Sequence, residues 1–298
     1  MIIDFNEVIK PKNDYVFKKV FGSENSKDIL IDFLGYILNF KIKDVQISNS
    51  ELTKENIVDK KSILDIKATI NEGIIVDIEI QVARTKMMPK RSLYYWSKMY
   101  AEQLVVSDVY NDLKKTICIN VVDFNIIPTE DLHTIFELKE RHKNILLTDA
   151  LEIHFIELPK VVECNQDDEL SAWLRFINAE SWEELDKVAK VKPEIKKAVD
   201  MVKVMSQNKE EREAYFAREM AIKDEISRLE ERREEGLEEG IEIGKEIGKE
   251  IGKEEGERAK TIKVIKNAFK KGLDIQDIAE LIDLSEDEIL KIKEEENL

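Results

Sequence analysis

Hydrophobic positions change rhythm several times along the chain, and each change marks an element. Between Asn13 and Leu38 they recur at helical spacing. Phe17, Val20 and Phe21 share a face, Leu30, Phe33, Leu34 and Ile37 continue the stripe, and Gly22 predicts a break between two helices. The period then shortens to two. Val45 and Ile47 alternate with polar neighbours, and residues 62–70 and 73–82 alternate more cleanly, which predicts three strands. Residues 94–104 return to helical spacing, and TICINVVDF at 116–124 is a continuous apolar run of the kind a buried strand carries. Short strands are expected at 133–138 and 152–158. The order of helix, three strands, helix and strand predicts a mixed α/β layer.

The second half reads as helical. Residues 168–200 offer Trp173, Leu174, Phe176 and Ile177 as core, and 209–233 form a highly charged helix. Glycine then recurs at every fourth position: Gly236, Gly240, Gly244, Gly248, Gly252 and Gly256. Inside a helix each costs about 1 kcal/mol relative to alanine, about 6 kcal/mol together. Glu242, Glu246 and Glu250 each precede a lysine by three residues, which returns only a few tenths of a kcal/mol per pair. The expected outcome is a helix stabilised by self-association or a partly frayed spacer. Residues 261–292 read as three short helical segments, the first capped by Gly272. The stretch 269–293 has the rhythm of a helix-turn-helix, but its second helix opens on Ser285-Glu286-Asp287-Glu288, which phosphates repel. Protein packing is the favoured role.

Charge adds a division. The 298 residues carry a net −16, and the stretch from Gln207 onward, with 18 basic and 28 acidic residues, holds −10 of it. Residues 1–125 balance at 18 and 18. No general basic field is available for nucleic acid, so such binding needs a local groove and bridging cations. No apolar run reaches the roughly eighteen residues of a spanning helix, and the N-terminus lacks a signal peptide, so a cytoplasmic protein without membrane partners is expected. Cys118 and Cys164 lack metal-type spacing and read as buried free thiols. His133, His142 and His154 are scattered and read as structural or surface residues, and Trp96 and Trp173 as core.

The chemistry concentrates in SILDIKATI-NEG-IIVDIEIQV at 62–82. Asn71-Glu72-Gly73 suits a three-residue hairpin loop with Gly73 left-handed. That register puts Ile70 opposite Ile74, Lys67 opposite Asp77 and Asp65 opposite Glu79, with facing Cβ atoms roughly 5 Å apart. One face is then apolar, from Leu64, Ile66, Ala68 and Ile70 to Ile74, Val76, Ile78, Ile80 and Val82. The other gathers Asp65, Lys67, Thr69, Asp77, Glu79 and Gln81, with Ile75 beside the turn. Two facing carboxylates repel unless one titrates upward or both share a cation. A hard divalent ion on Asp65 and Glu79 would also activate water for attack on phosphate. The competing reading is a half-solvated hairpin in which Lys67 pairs with Asp77. Arg91, Tyr94, Tyr95 and Lys98 follow, and Arg91 and Lys98 are seven apart, so they share a helical face.

These blocks resemble the Rpn-like recombination-promoting nuclease/transposase family of the PD-(D/E)xK nuclease superfamily. PKNDYVFKKVFGSEN at 11–25, DKKSILDIKATINEGIIVDIEIQV at 59–82 and KRSLYYWSKMYAEQL at 90–104 carry the likeness, continued by 116–124 and DALEIHFIELPK at 149–160, over roughly residues 10–205. The resemblance implies an α/β restriction-endonuclease core of helix, three-stranded meander, helix and strand, with an appended helical C-terminal region. It implies that Asp65 and Glu79 are the motif acids and hold Mg²⁺ or another divalent cation, with the Ile80 carbonyl as a further ligand and Asp14 as an accessory acid. Gln81 stands where the superfamily usually has lysine, and would orient the attacking water; Lys67, Arg91 or Lys98 would supply the missing cation. Ser107 replaces a frequent glycine and Leu64 the motif proline, and neither change removes a ligand. The expected domains are 1–165 (nuclease), 166–206 (helical extension), 207–258 (glycine-repeat helix) and 259–298 (small helical segment), the last two read from the residue pattern beyond the resemblance. The implied function is a metal-dependent endonuclease that hydrolyses DNA phosphodiester bonds in recombination or mobile-element biology, and the glycine repeat adds the expectation that the chain self-associates through its C-terminal helices. The alternatives are a catalytically inactive DNA-binding or scaffold protein of the same fold, and a nuclease acting on RNA or on particular structures in defence.

Overall fold

The apolar run after residue 115 becomes the centre of the sheet. Strand β4 (Thr116–Val122) is buried at every position. It lies parallel to β3 (Ile74–Gln81) on one side and β6 (Leu151–Glu157) on the other. A strand covered on both faces has no use for polar alternation. In this computed structural model residues 7–48, 64–105, 107–161 and 168–296 are described; Cys164 and residues 49–63 lie outside them. The sheet is completed by β1 (Val45–Ser48), β2 (Ile66–Ile70) and β5 (His133–Glu137), in the order β1-β2-β3-β4-β6-β5. The first three strands form an antiparallel meander, and β5 pairs antiparallel to β6 at the far edge.

The hairpin register is the expected one. Ile70 pairs with Ile74 and Lys67 with Asp77. The loop places Gly73 at φ +101°, and Asn71 also takes a positive φ of 47°. Helix α1 (Asp14–Phe21) is capped by the Asn13 side chain and ends at Gly22, after which a short 3-10 turn leads into α2 (Lys27–Leu38). Helix α3 (Met88–Ala101) starts earlier than the apolar spacing indicates, because Pro89 in its first turn fixes helical φ where no N–H partner is needed.

Two cores flank the sheet. On one face Ile66, Ala68, Ile70, Val76, Ile78 and Ile80 pack with α1, α2 and the helices α4 (Glu169–Asn178), α5 (Trp182–Val188) and α6 (Pro193–Gln207). Trp173 is fully buried there among Phe21, Phe33 and Phe176. On the other face α3 covers Cys118, Val122, Ile153 and Phe155. Leu64 joins this second core rather than the first, because β2 begins only at Ile66 and the alternation does not extend back to it. Trp96 is only partly buried: it stacks on Tyr100 and donates its indole N–H to the Thr116 carbonyl.

Helix α7 runs unbroken from Lys209 to Lys270, through all six repeat glycines. The first of the three expected C-terminal segments is thus the end of α7, closed by Gly272 at φ +82°, before α8 (Ile275–Ile282) and α9 (Glu286–Glu295). The chain divides into two compact units, residues 1–227 and 228–298. In the second, Ile265, Ala268, Ile278 and Ile289 form a small core. No described helix is long and apolar enough to cross a membrane.

Candidate active site

The site is assembled where β2 begins, beside β3. Asp65 precedes the first residue of β2 and Glu79 lies on β3 in the register position opposite it. The Asp65 N–H donates to Glu79 Oε1 at 2.9 Å, and the Ile80 N–H donates to Asp65 Oδ2 at 2.9 Å. Each acid is therefore fixed by the backbone beside the other. The remaining oxygens meet cations: Lys18 Nζ of α1 lies 2.8 Å from Asp65 Oδ1, and Arg91 Nη2 of α3 lies 2.7 Å from Glu79 Oε2.

Arg91 organises the α3 side. Its Nη1 donates to Gln81 Oε1 at 3.0 Å and its Nε to the Tyr95 hydroxyl at 3.0 Å. Gln81 Nε2 donates to the Ala83 carbonyl, so the amide is held at both ends, with one N–H and one lone pair left for a further partner. Asp14 stands at the start of α1, and its two oxygens share the one Nε–H of Arg218 from α7, with Nε 2.7 Å from each.

Burial sets the electrostatics. Glu79 is 1% exposed, and desolvation together with the Asp65 carboxylate pushes it up to about 8 against the pull of Arg91. Asp77, two residues back on β3, is equally buried. Burial first, then Glu79 and Asp65, hold its carboxyl well above the usual range. Among the described residues no N–H or O–H donor reaches either of its oxygens, although the Cys118 thiol lies beside it, and none reaches Asn120 Oδ1 on β4, opposite Glu79. The expected Lys67–Asp77 pair does not form: Lys67 Nζ turns to Glu102 Oε2 at 3.1 Å. The half-solvated hairpin is likewise replaced by a covered one, because α3 closes over this face.

Of the residues singled out in the sequence, Asp65, Glu79, Gln81 and Arg91 come together. Asp14 is engaged by Arg218, Lys67 by Glu102, and Lys98 lies about two turns beyond Arg91 on α3. Lys18 and Arg218 were missed. Lys18 follows Asp14 by four residues on the polar side of an amphipathic helix, a visible but unspecific signal. Arg218 has no local signal, since only the fold brings α7 against α1. The histidines are less scattered than the sequence indicates: His133 Nε2 and His154 Nδ1 lie 2.9 Å apart across β5 and β6, and His154 Nε2 lies 3.3 Å from Glu152.

Among the described residues no three His, Cys, Asp or Glu side chains close tightly enough to enclose a metal ion. The donor chemistry still fits a hard cation. Mg²⁺ binds through one or two carboxylates and keeps several waters. Among the described residues each oxygen of Asp65 and Glu79 accepts a single contact, although a carboxylate offers about four lone-pair directions. Buried Asp77 keeps its proton more readily than an ordinary carboxyl, and a cation beside Glu79 would favour its ionised form.

Among known families, the model of the PD-(D/E)XK nuclease family transposases matches residues 11–232. No curated protein and no solved structure matches the chain.

Proposed function

Since this chain belongs to the PD-(D/E)XK nuclease family transposases, we propose that it is a metal-dependent DNA endonuclease that hydrolyses phosphodiester bonds in recombination or mobile-element biology. The observation that carries the reading is the mutual fixing of Asp65 and Glu79, which holds the two acids side by side through backbone N–H donors. Asp65 and Glu79 would hold Mg²⁺ or another divalent cation, with the Ile80 carbonyl as a further oxygen. Bound there, the cation supplies Lewis-acid stabilisation of the phosphate and acidifies an attacking water.

The chain's own residues do the rest. Gln81, fixed by Arg91 and Ala83, orients water through its free N–H or lone pair; an amide cannot take the proton at neutral pH. Lys18 supplies the positive charge that the motif lysine would have given, because its ammonium already sits on Asp65. Arg91 holds Glu79 and Gln81 in one plane of contacts, and Arg218 adds a cation beside Asp14 for a phosphate of the strand. The chain works in the cytoplasm and self-associates through its C-terminal helices.

A second reading is favoured by the same contacts. Lys18 and Arg91 neutralise both motif acids, as in a catalytically inactive DNA-binding or scaffold protein of this fold. Supercoiled plasmid, incubated with and without Mg²⁺, separates the two. The enzyme nicks only with the cation, and Asp65→Ala and Glu79→Ala abolish nicking. Equal activity in all three proteins, or none in any, contradicts the proposal.

A further inference from the structure

Between Gly236 and Gly256 helix α7 presents an aliphatic face that no other part of its unit covers. Leu237, Ile241, Ile243, Ile247 and Ile251 are each at least 49% exposed. The repeat sets what lies beside that face. Each glycine from Gly236 to Gly252 is followed by an aliphatic residue (Leu237, Ile241) or lysine (Lys245, Lys249, Lys253), then by glutamate, and isoleucine precedes the glycines at 244, 248 and 252. At about 100° per residue, each of these isoleucines lies about 60° from the glycine three before it and about 100° from the glycine after it, so the two columns make a seam that drifts about 40° per repeat. Lysine falls on one flank of the seam and glutamate on the other. A Cβ added at any of the six glycines would meet nothing within 4 Å, so the gaps are open.

We infer that this seam takes a second copy of the chain, with the two helices parallel. The inference rests on the self-association proposed above and adds its orientation and register. Two-fold symmetry about an axis along the helices places the glycine-and-lysine side of one chain against the isoleucine-and-glutamate side of the other. Ile243, Ile247 and Ile251 then enter glycine gaps, and the flank of Lys245, Lys249 and Lys253 meets the partner's glutamate flank. Antiparallel pairing does the reverse: isoleucine meets isoleucine, glycine faces glycine across a void, and lysine faces lysine. Within one helix Glu238, Glu242, Glu246, Glu250 and Glu254 are like charges four apart, which is destabilising, and the partner's lysines offset it. A period of four exceeds 3.6, so the pair winds right-handedly, as longer hydrophobic periods do.

The test uses the full chain. Light scattering gives the mass in solution, and Gly240→Cys and Gly252→Cys, about 18 Å apart along the helix, give the orientation. The expected result is a mass of two chains, with each variant alone forming an interchain disulfide on oxidation while the parent chain forms none. A two-chain mass with disulfides only when the variants are mixed overturns the parallel arrangement and leaves self-association standing. A two-chain mass with no disulfide in any mixture places the contact elsewhere and also overturns it. A one-chain mass overturns both the inference and the self-association beneath it, and a mass above two chains overturns the pair.

Discussion

Asp65 and Glu79 exchange contacts through the backbone: the Asp65 N–H holds one oxygen of Glu79, while the next residue after Glu79 donates its N–H to Asp65. Neither carboxylate can turn away without leaving a backbone donor unpaired, which costs about 1–3 kcal/mol in a buried setting. The two acids are thereby kept together although burial and the repulsion between their charged forms oppose it, the arrangement that the proposed shared cation would need.

Asp65→Asn keeps an oxygen for the Ile80 N–H and removes only the charge. DNA cleavage should fall about 100-fold or more, the loss expected when several kcal/mol of cation-borne stabilisation disappears. The melting temperature should stay within a few degrees of the parent. A fall in cleavage that merely tracks unfolding in a thermal scan would assign Asp65 a structural role.

Glu79 makes the metal-free protein sensitive to pH. Its folded value is about 8 against an ordinary 4.5, so between these limits the folded state keeps a proton that the unfolded chain has lost. Stability should therefore fall as pH rises from 4.5 toward 8 and level off above it. Melting curves at pH 6 and 8 in the presence of a chelator check this, and Glu79→Gln should flatten the difference. A parent protein more stable at pH 8 than at pH 6 contradicts the assignment.

Lys18 already pairs with Asp65, so a divalent cation at the proposed site would compete with it. In Lys18→Met the cation should bind at least as tightly as in the parent, while kcat for DNA cleavage drops. The opposite pattern, weaker cation binding with unchanged kcat, would make Lys18 a scaffold for the cation site rather than a participant in cleavage.

His133 gives a separate acid response. Burial, with His154 alongside, holds it down at about 4 against an ordinary 6.5. The unfolded chain takes up the proton first, so stability is complete above pH 6.5 and is lost as pH falls toward 4, by about 3 kcal/mol if this group acts alone. His133→Gln should remove most of that slope in chemical denaturation at pH 7 and pH 4.5. An unchanged slope would exclude the His133–His154 pair as its source.

Much of the fold is legible because its signals are local. The hairpin register follows from Asn71-Glu72-Gly73 and strict alternation, and the central position of β4 from its unbroken apolar run. The acids at 65 and 79 are legible for the same reason, as register alone sets them opposite each other. The cations are not. Lys67 faces Asp77 in the register but reaches Glu102, because α3 covers that face and brings a better-placed carboxylate. Lys18 and Arg218 arrive on helices whose docking is decided by the core beneath α1, which local periodicity does not encode. The continuity of α7 through its glycines runs against helix propensity, so local preference points away from it.

On the proposed reading Asp65 and Glu79 share one divalent cation. Calorimetric titration of Mn²⁺ at pH 8 into the parent, Asp65→Asn and Glu79→Gln proteins tests it directly, without reference to any substrate. One ion per chain in the parent, with that binding lost in both variants, is the predicted result. Equal Mn²⁺ binding in all three proteins, or binding lost in only one variant, contradicts a shared site.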